Sequence, residues 1–377
     1  MSNHTTSRRK VLAGAAAATG MLGLAGCAGG NGGDGNGGDG NGESGGNGNG
    51  NGSSDDGSGN GGGATQEFTF ATSVEGSTAF RIGSTFGEYL RQENLTDLFE
   101  INAVVSPGAT GGYRMMDQGE AAFSTPSTYG LEVSPDQGPF ADNPLNDFNA
   151  VRQIRGNFSV QPFLIVQADS GIESWDDLEG QTVSFGSAGA GTRVPSETIL
   201  DLEIGLENIT PEYVGYSDQP AALRGGRVDA IFGYVNNSAI APGWMQELDA
   251  TVDWRHIPYS DEVRSEFEQQ LPYTSTLEVD GSNFFESFTD TITPYNLTYV
   301  VSSTTGLDDE VAYEFAKLSY EHGEALLESD NSMGFYPDPD LFLETIHPDV
   351  PVHKGAYDYY VESELWGDYD LTAPPEA

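Results

Sequence analysis

The chain is short of several things, and each shortage excludes something. In 377 residues there is one cysteine, Cys27. A lone cysteine forms no intramolecular disulfide and no cysteine-based metal site. Basic residues are scarce: 15 Lys and Arg stand against 58 Asp and Glu, for a formal net charge of −43. No basic stripe is left to neutralise phosphates, so nucleic acid is excluded as a partner. Beyond the N-terminal region no apolar run is long enough for a transmembrane helix. Catalytic signatures are missing too. The histidines are His4, His256, His322, His347 and His353, and none sits in the two-histidine spacing of a helical zinc site. No Gly-x-Ser-x-Gly elbow occurs, and the Gly-rich stretch at 186–192 has no following lysine to make it a phosphate-binding loop. The expectation is a protein that performs no chemistry and needs no cofactor or metal.

What is present begins with the N-terminus. Arg8 and Arg9 precede an apolar run from Val11 to Ala25, which ends in Leu24, Ala25, Gly26 and Cys27. A twin-arginine pair, a short apolar run and small residues before a cysteine predict an export signal over 1–27, with Cys27 lipidated and tied to the membrane. Residues 28–66 are almost all Gly, Asn, Ser and Asp, a composition with nothing to bury, and read as a flexible tether. A coil of that length reaches roughly 35 Å. The domain proper is expected over 67–377. Its acidic surplus, combined with 11% aromatic residues, reads as adaptation to high salt rather than as disorder. In about 1 M salt the screening length falls to roughly 3 Å and self-repulsion is tolerable.

The most telling stretch is 181–193, QTVSFGSAGAGTR. Thr182, Val183 and Phe185 form a short strand, a loop of small residues follows, and Thr192 is placed to cap a helix with apolar positions Val194, Ile199 and Leu202. Such a helix start offers unpaired N–H groups and a favourable dipole to an anion. The chain makes this unit twice. The strand from Phe68 to Ala71 meets a Gly/Ser/Thr loop and a helix with Ile82, Phe86 and Leu90 on one stripe. A helix ending in glycine and entering a strand then follows each copy, at 113–123 and 222–232. Two matching sets roughly 110 residues apart point to two α/β lobes around a shared cleft, rather than to a solenoid. Lobe 1 is expected at about 67–168 and 294–377, and lobe 2 at about 169–293. The chain crosses between them twice, after Val166 and near Leu297, so that the crossings form a hinge.

Arginines are few enough to weigh singly. Arg193, in the first turn after the second loop, either clamps a ligand carboxylate or pairs with one of the many nearby acids. Arg81 is the natural second clamp. Ser77 and Thr78 on one side face Gly191 and Thr192 on the other. Tyr129 and Tyr234 follow corresponding strands and reach the cleft rim, with Asn236 just beyond. Phe80, Ser127 and Ser187 complete the candidate ligand contacts.

These residues resemble the TAXI-type solute-binding proteins of TRAP transporters, over most of 68–365. The carrying pieces are TSVEGSTAFRIG at 72–83, LIVQADSGI at 164–172 with DLEG at 177–180, GSAGAGTR at 186–193, the stretch 225–232, and HKGAYDYY at 353–360. In the first of these Ala79, Phe80 and Arg81 replace the two tyrosines and proline usual in that family. The resemblance implies a two-lobed periplasmic-binding-protein fold of type II, a ligand that is a small organic anion such as a dicarboxylate or acidic amino acid, and a TRAP-type membrane permease as partner. A receptor for an ABC importer, or a ligand sensor, is the alternative on the same fold. A secreted hydrolase and a structural surface protein are the readings from other classes.

Overall fold

The structure is a computed structural model that describes residues 65–133, 136–367 and 369–375. The expected signal, Cys27 and all but the end of the expected tether lie outside these residues. The first lobe opens with β1 (Gln66–Ala71), α1 (Thr78–Glu93), β2 (Phe99–Val104), α2 (Gly108–Asp117), β3 (Phe123–Ser124) and α3 (Thr128–Glu132). α1 forms where the sequence predicts. Ser77 sits in an extended conformation and its side chain accepts from Phe80 N–H, while Asn94 ends the helix in the left-handed region at φ 52°. Ile82, Phe86 and Leu90 are all buried on one face.

A 17-residue strand, β4 (Val151–Gln167), then runs through the middle of the molecule. The second lobe repeats the first pattern with β5 (Thr182–Ser184), α4 (Arg193–Ile204), β6 (Thr210–Glu212), α5 (Gln219–Arg224) and β7 (Ala230–Asn236). It continues through α6 (Gly243–Thr251), β8 (Trp254–His256), α7 (Asp261–Gln270) and the short strands β9 (Ser275–Thr276), β10 (Val279–Asp280) and β11 (Thr291–Ile292). The chain returns along β12 (Tyr295–Thr304) and closes with α8 (Asp309–Glu321), α9 (Gly323–Ser329), α10 (Pro339–Leu343) and α11 (Lys354–Glu362).

The sheet order is β2-β1-β3-β12-β4-β7-β5-β6. β1 lies parallel between β2 and β3, and β5 lies parallel between β6 and β7. Each lobe therefore carries the same three-stranded parallel unit, joined through the antiparallel pair β4 and β12. This is the two-lobed type II arrangement of an α/β binding-protein fold. β4 pairs with β12 over Val151 to Val160 and with β7 over Val160 to Val166. Val160, opposite both Leu297 and Asn236, marks the changeover from one sheet partner to the other.

β4 is buried along nearly its whole length although many of its residues are polar. Their partners explain this. Gln153 Nε2 donates to the carbonyls of His347 at 2.8 Å and Val350 at 2.7 Å. Gln161 Nε2 donates to Ser159 Oγ at 2.8 Å and Asn296 Oδ1 at 2.7 Å. Arg155, fully buried, has no carboxylate among its hydrogen-bond partners. It donates to Gly156 O at 2.8 Å, to Asn157 Oδ1 at 3.1 Å and to the Tyr336 hydroxyl. Its guanidinium lies 3.8 Å from the centre of the Tyr336 ring, with Phe86, Phe315 and Phe342 around it. Burial pulls its pKa down from the ordinary arginine value.

Candidate functional site

The two copies of the loop face each other across the crossing strands, and the lobes touch there. Thr78 Oγ1 donates to Asn236 Oδ1 at 2.8 Å, which joins the start of α1 to the end of β7. Backbone meets backbone at Gly108 and Gly189. A Cβ built on Gly189 would fall 1.7 Å from Pro107 O, and one on Gly108 would fall 1.9 Å from Gly189 O. Only glycine permits that approach.

Two small cavities lie at this junction and share Ala190 and Gly191. The inner one, of about 20 Å³, is bounded by Ser77 and Thr78 of lobe 1, by Thr192, Tyr216 and Tyr234 of lobe 2, and by Tyr299 of β12. Phe158 of β4 stacks on Tyr299 with ring centres 4.7 Å apart and planes 7° apart, and forms part of the floor. The outer one, of about 100 Å³, has Ser127 and Tyr129 on one wall and Gly189, Gly191 and Arg193 on the other.

Most of the expected contacts are thus brought together. Ser77, Thr78, Gly191, Thr192 and Tyr234 border the inner cavity, and Ser127, Tyr129, Gly191 and Arg193 the outer one. Asn236 reaches the site through its bond to Thr78. Three residues behave differently. Arg81 is turned away from the cleft: its Nε pairs with Asp330 Oδ2 at 2.5 Å and its side chain is 55% exposed. It sits on the outward face of α1, whose inward face is filled by Ile82 and Phe86, so the second clamp is not there. Phe80 and Ser187 line neither cavity.

Thr192 also departs from expectation. It adopts a helical conformation, φ −78° and ψ −16°, and makes no capping bond. Its hydroxyl is engaged instead with Tyr216 Oη at 2.9 Å. Its carbonyl accepts from Tyr295 Oη at 3.0 Å, and Tyr295 also meets Ser196 Oγ at 2.8 Å. The first turn of α4 therefore lacks a side-chain cap and carries Arg193 as its first residue. Arg193 is part-buried, pairs with Glu197 Oε1 at 3.4 Å and lies over the Tyr213 ring at 5.6 Å. Tyr129 stands near enough to feel both charges: burial raises its pKa, Arg193 opposes the rise and Glu197 adds to it. Burial also raises the phenols of Tyr216, Tyr234 and Tyr299 above the usual range, so all three are neutral hydrogen-bonding groups at physiological pH.

Sequence reading missed Ser73, Phe158, Tyr216 and Tyr299. A signal for two of them existed. Strands that cross beneath a cleft must offer side chains to its floor, and Phe158 and Tyr299 lie next to the crossing at Val160 and Leu297. Neither cavity is lined by a His, Cys, Asp, Glu or Lys side chain. Among the described residues no group of three or more His, Cys, Asp or Glu is placed to hold a metal ion, and no helix is long and apolar enough to cross a membrane.

Fold and cleft together define a two-lobed binding protein. The sequence match is to the NMT1-like family over residues 70–363, and the chain belongs to that family, whose members are of the periplasmic solute-binding kind. Solved structures with a similar course include the binding-protein component of an ABC phosphonate transporter from Pseudomonas aeruginosa, at 11% identity and TM-score 0.45, covering 71% of this chain and 83% of that one. A periplasmic transporter protein is 13% identical at TM-score 0.47, covering 71% and 87%. The periplasmic aliphatic sulphonate binding protein of Escherichia coli is 14% identical at TM-score 0.38, covering 81% and 96%. No match was found among curated protein sequences.

Proposed function

We propose that this chain is the extracytoplasmic receptor of a TRAP transporter of the TAXI group, tethered to the membrane through Cys27. It captures a small organic anion between its lobes and hands it to a membrane permease. One observation carries the anion reading: among the described residues lining the two cavities, Arg193 is the one that carries a charge. Its guanidinium offers a carboxylate a charge-assisted, bidentate partner. Ser127 and Tyr129 oppose it from lobe 1, so each lobe holds half of the partners and binding favours the closed form. The permease assignment rests on the resemblance of the 72–83 and 186–193 loops. The same cleft would serve the receptor of an ABC importer, and the partner that co-purifies from membranes, a permease without an ATPase or with one, separates the two.

The test is calorimetry on the purified protein in molar salt with three sets of small solutes: carboxylic acids, their neutral amides, and amines of equal length. Heat should appear with the acids alone. Preference for amides or amines would remove the anion mechanism.

A further inference from the structure

The two cavities differ in charge, and the difference restricts the ligand further than the word anion does. The outer cavity has one cation, Arg193. The inner cavity has no charged residue on its wall. Most of its hydroxyls are engaged within the protein. Ser77 Oγ accepts from Phe80 N–H. Thr78 donates to Asn236, and Thr192 and Tyr216 bond each other. Tyr234 is engaged with Thr78 and Trp244, which leaves the hydroxyls of Ser73 and Tyr299. Tyr299 is only 6% exposed, its ring is fixed by the stack on Phe158, and its Oη points at Gly191, where a Cβ would come within 2.6 Å. No protein group takes its hydrogen bond. The Tyr299 hydroxyl faces the cavity, where a ligand oxygen can take its hydrogen bond.

From this wall we infer that the ligand carries a single negative charge, a carboxylate held at Arg193, and that its other end is an uncharged hydroxyl or keto group whose oxygen accepts from the Tyr299 hydroxyl in the inner cavity. This rests on the anion-receptor reading above and narrows it. A second carboxylate would give up its water in a chamber with no cation, and an ammonium would do so in a chamber with no carboxylate. A hydroxyl or keto oxygen meets a phenol that stays protonated and matches it in polarity. Dicarboxylates and acidic amino acids, the ligands that the sequence resemblance implies, are therefore disfavoured.

The experiment compares four series of three to six carbons by calorimetry and thermal shift on the full chain in molar salt: hydroxy- or oxo-monocarboxylates, unsubstituted monocarboxylates, dicarboxylates, and amino acids. The best hydroxy- or oxo-acid should bind at least about tenfold tighter than the dicarboxylate and amino acid of its length, because a site built to hydrogen-bond one group rejects analogues lacking it. The hydroxy- or oxo-acid should also bind tighter than the unsubstituted acid of its length, and in Tyr299→Phe that second margin should vanish. A dicarboxylate or amino acid that binds as tightly as the best hydroxy-acid overturns the inference and leaves the anion receptor standing. So does a margin that survives Tyr299→Phe. Should the variant not fold, the wild-type ranking decides. If no carboxylate in any series binds, the receptor reading fails and takes the inference with it.

Discussion

The loop before α1 and the loop before α4 look like copies, yet they do different work. In the first, Ser77 is extended and spends its hydroxyl on the helix it begins. In the second, Thr192 is already helical and spends its hydroxyl on Tyr216. The arginines diverge in the same way. Arg81, three residues into α1, is committed to Asp330 on the outside, whereas Arg193 opens α4 at the cavity. Lobe 1 thus brings neutral hydroxyls to the junction and lobe 2 brings the charge. A repeated strand-loop-helix unit does not repeat its chemistry: the partners its side chains find decide what each copy offers a ligand.

If the lobes meet as the Gly108–Gly189 contact requires, that contact is where the comparison breaks most completely. Gly189→Val places side-chain atoms inside Pro107 O, so the halves of the site can no longer be held together. Ligand binding should be lost while each lobe keeps its fold, seen as unchanged circular dichroism with a larger radius of gyration by X-ray scattering. Undiminished affinity in this variant would show that binding does not need closure.

The arginines give the next largest contrast. Arg193→Ala should weaken anion binding by roughly 2–5 kcal/mol, since a buried carboxylate loses its charged partner. Arg81→Ala should leave affinity unchanged, because its partner is Asp330 at a site away from both cavities. Equal losses in the two variants, measured by calorimetry, would mean that the lobes share the charge after all.

The cores differ as well. Lobe 1 buries Arg155 among aromatic rings, while His256 of lobe 2 is buried neutral. One of its ring nitrogens meets Leu164 O at 2.9 Å, and the other accepts from Thr293 N at 3.1 Å. Burial lowers the His256 pKa to about 4 from its ordinary 6.5. The unfolded chain then takes up a proton at a pH where the folded one does not. Stability contributed by the neutral ring is intact above about pH 6.5, falls as the pH drops, and about 3 kcal/mol is gone by pH 4. Hydrogen exchange should show β8 and the lobe 2 end of β4 loosening on acidification before α1 does, and His256→Gln should flatten the response. Loosening of α1 first would reverse the assignment.

Much of this was legible in the sequence, for a physical reason. Periodic apolar residues such as Ile82, Phe86 and Leu90, and glycines that end helices, are local signals, and the elements they mark formed. The two facing loops followed from their repetition. Three features were not legible. β4 announces only its last third, at 162–166, because its buried polar residues find partners far away in sequence, as Gln153 does at 347 and 350. The outward turn of Arg81 depends on Asp330, and the commitment of Thr192 on Tyr216. Each is a choice among distant partners, and a sequence shows which residues are capable of a bond without showing which bond they make.

The smallest effect is also the cleanest separation of the two loops. Ser77→Ala should cost about 1 kcal/mol of stability, the usual loss for a helix cap. Thr192→Val should cost a similar amount, about 1 kcal/mol, but through the hydroxyl pair with Tyr216 and not through α4. Single measurements cannot tell these causes apart, and double-mutant cycles with Tyr216→Phe can. Thr192→Val and Tyr216→Phe remove the same bond, so their losses should fall short of additive by roughly 0.5–1 kcal/mol in denaturant unfolding. Ser77→Ala shares no bond with Tyr216, so its loss should add to that of Tyr216→Phe. Additivity in the first cycle would mean that Thr192 acts on its own helix as Ser77 does, and the difference between the two helix starts would be gone.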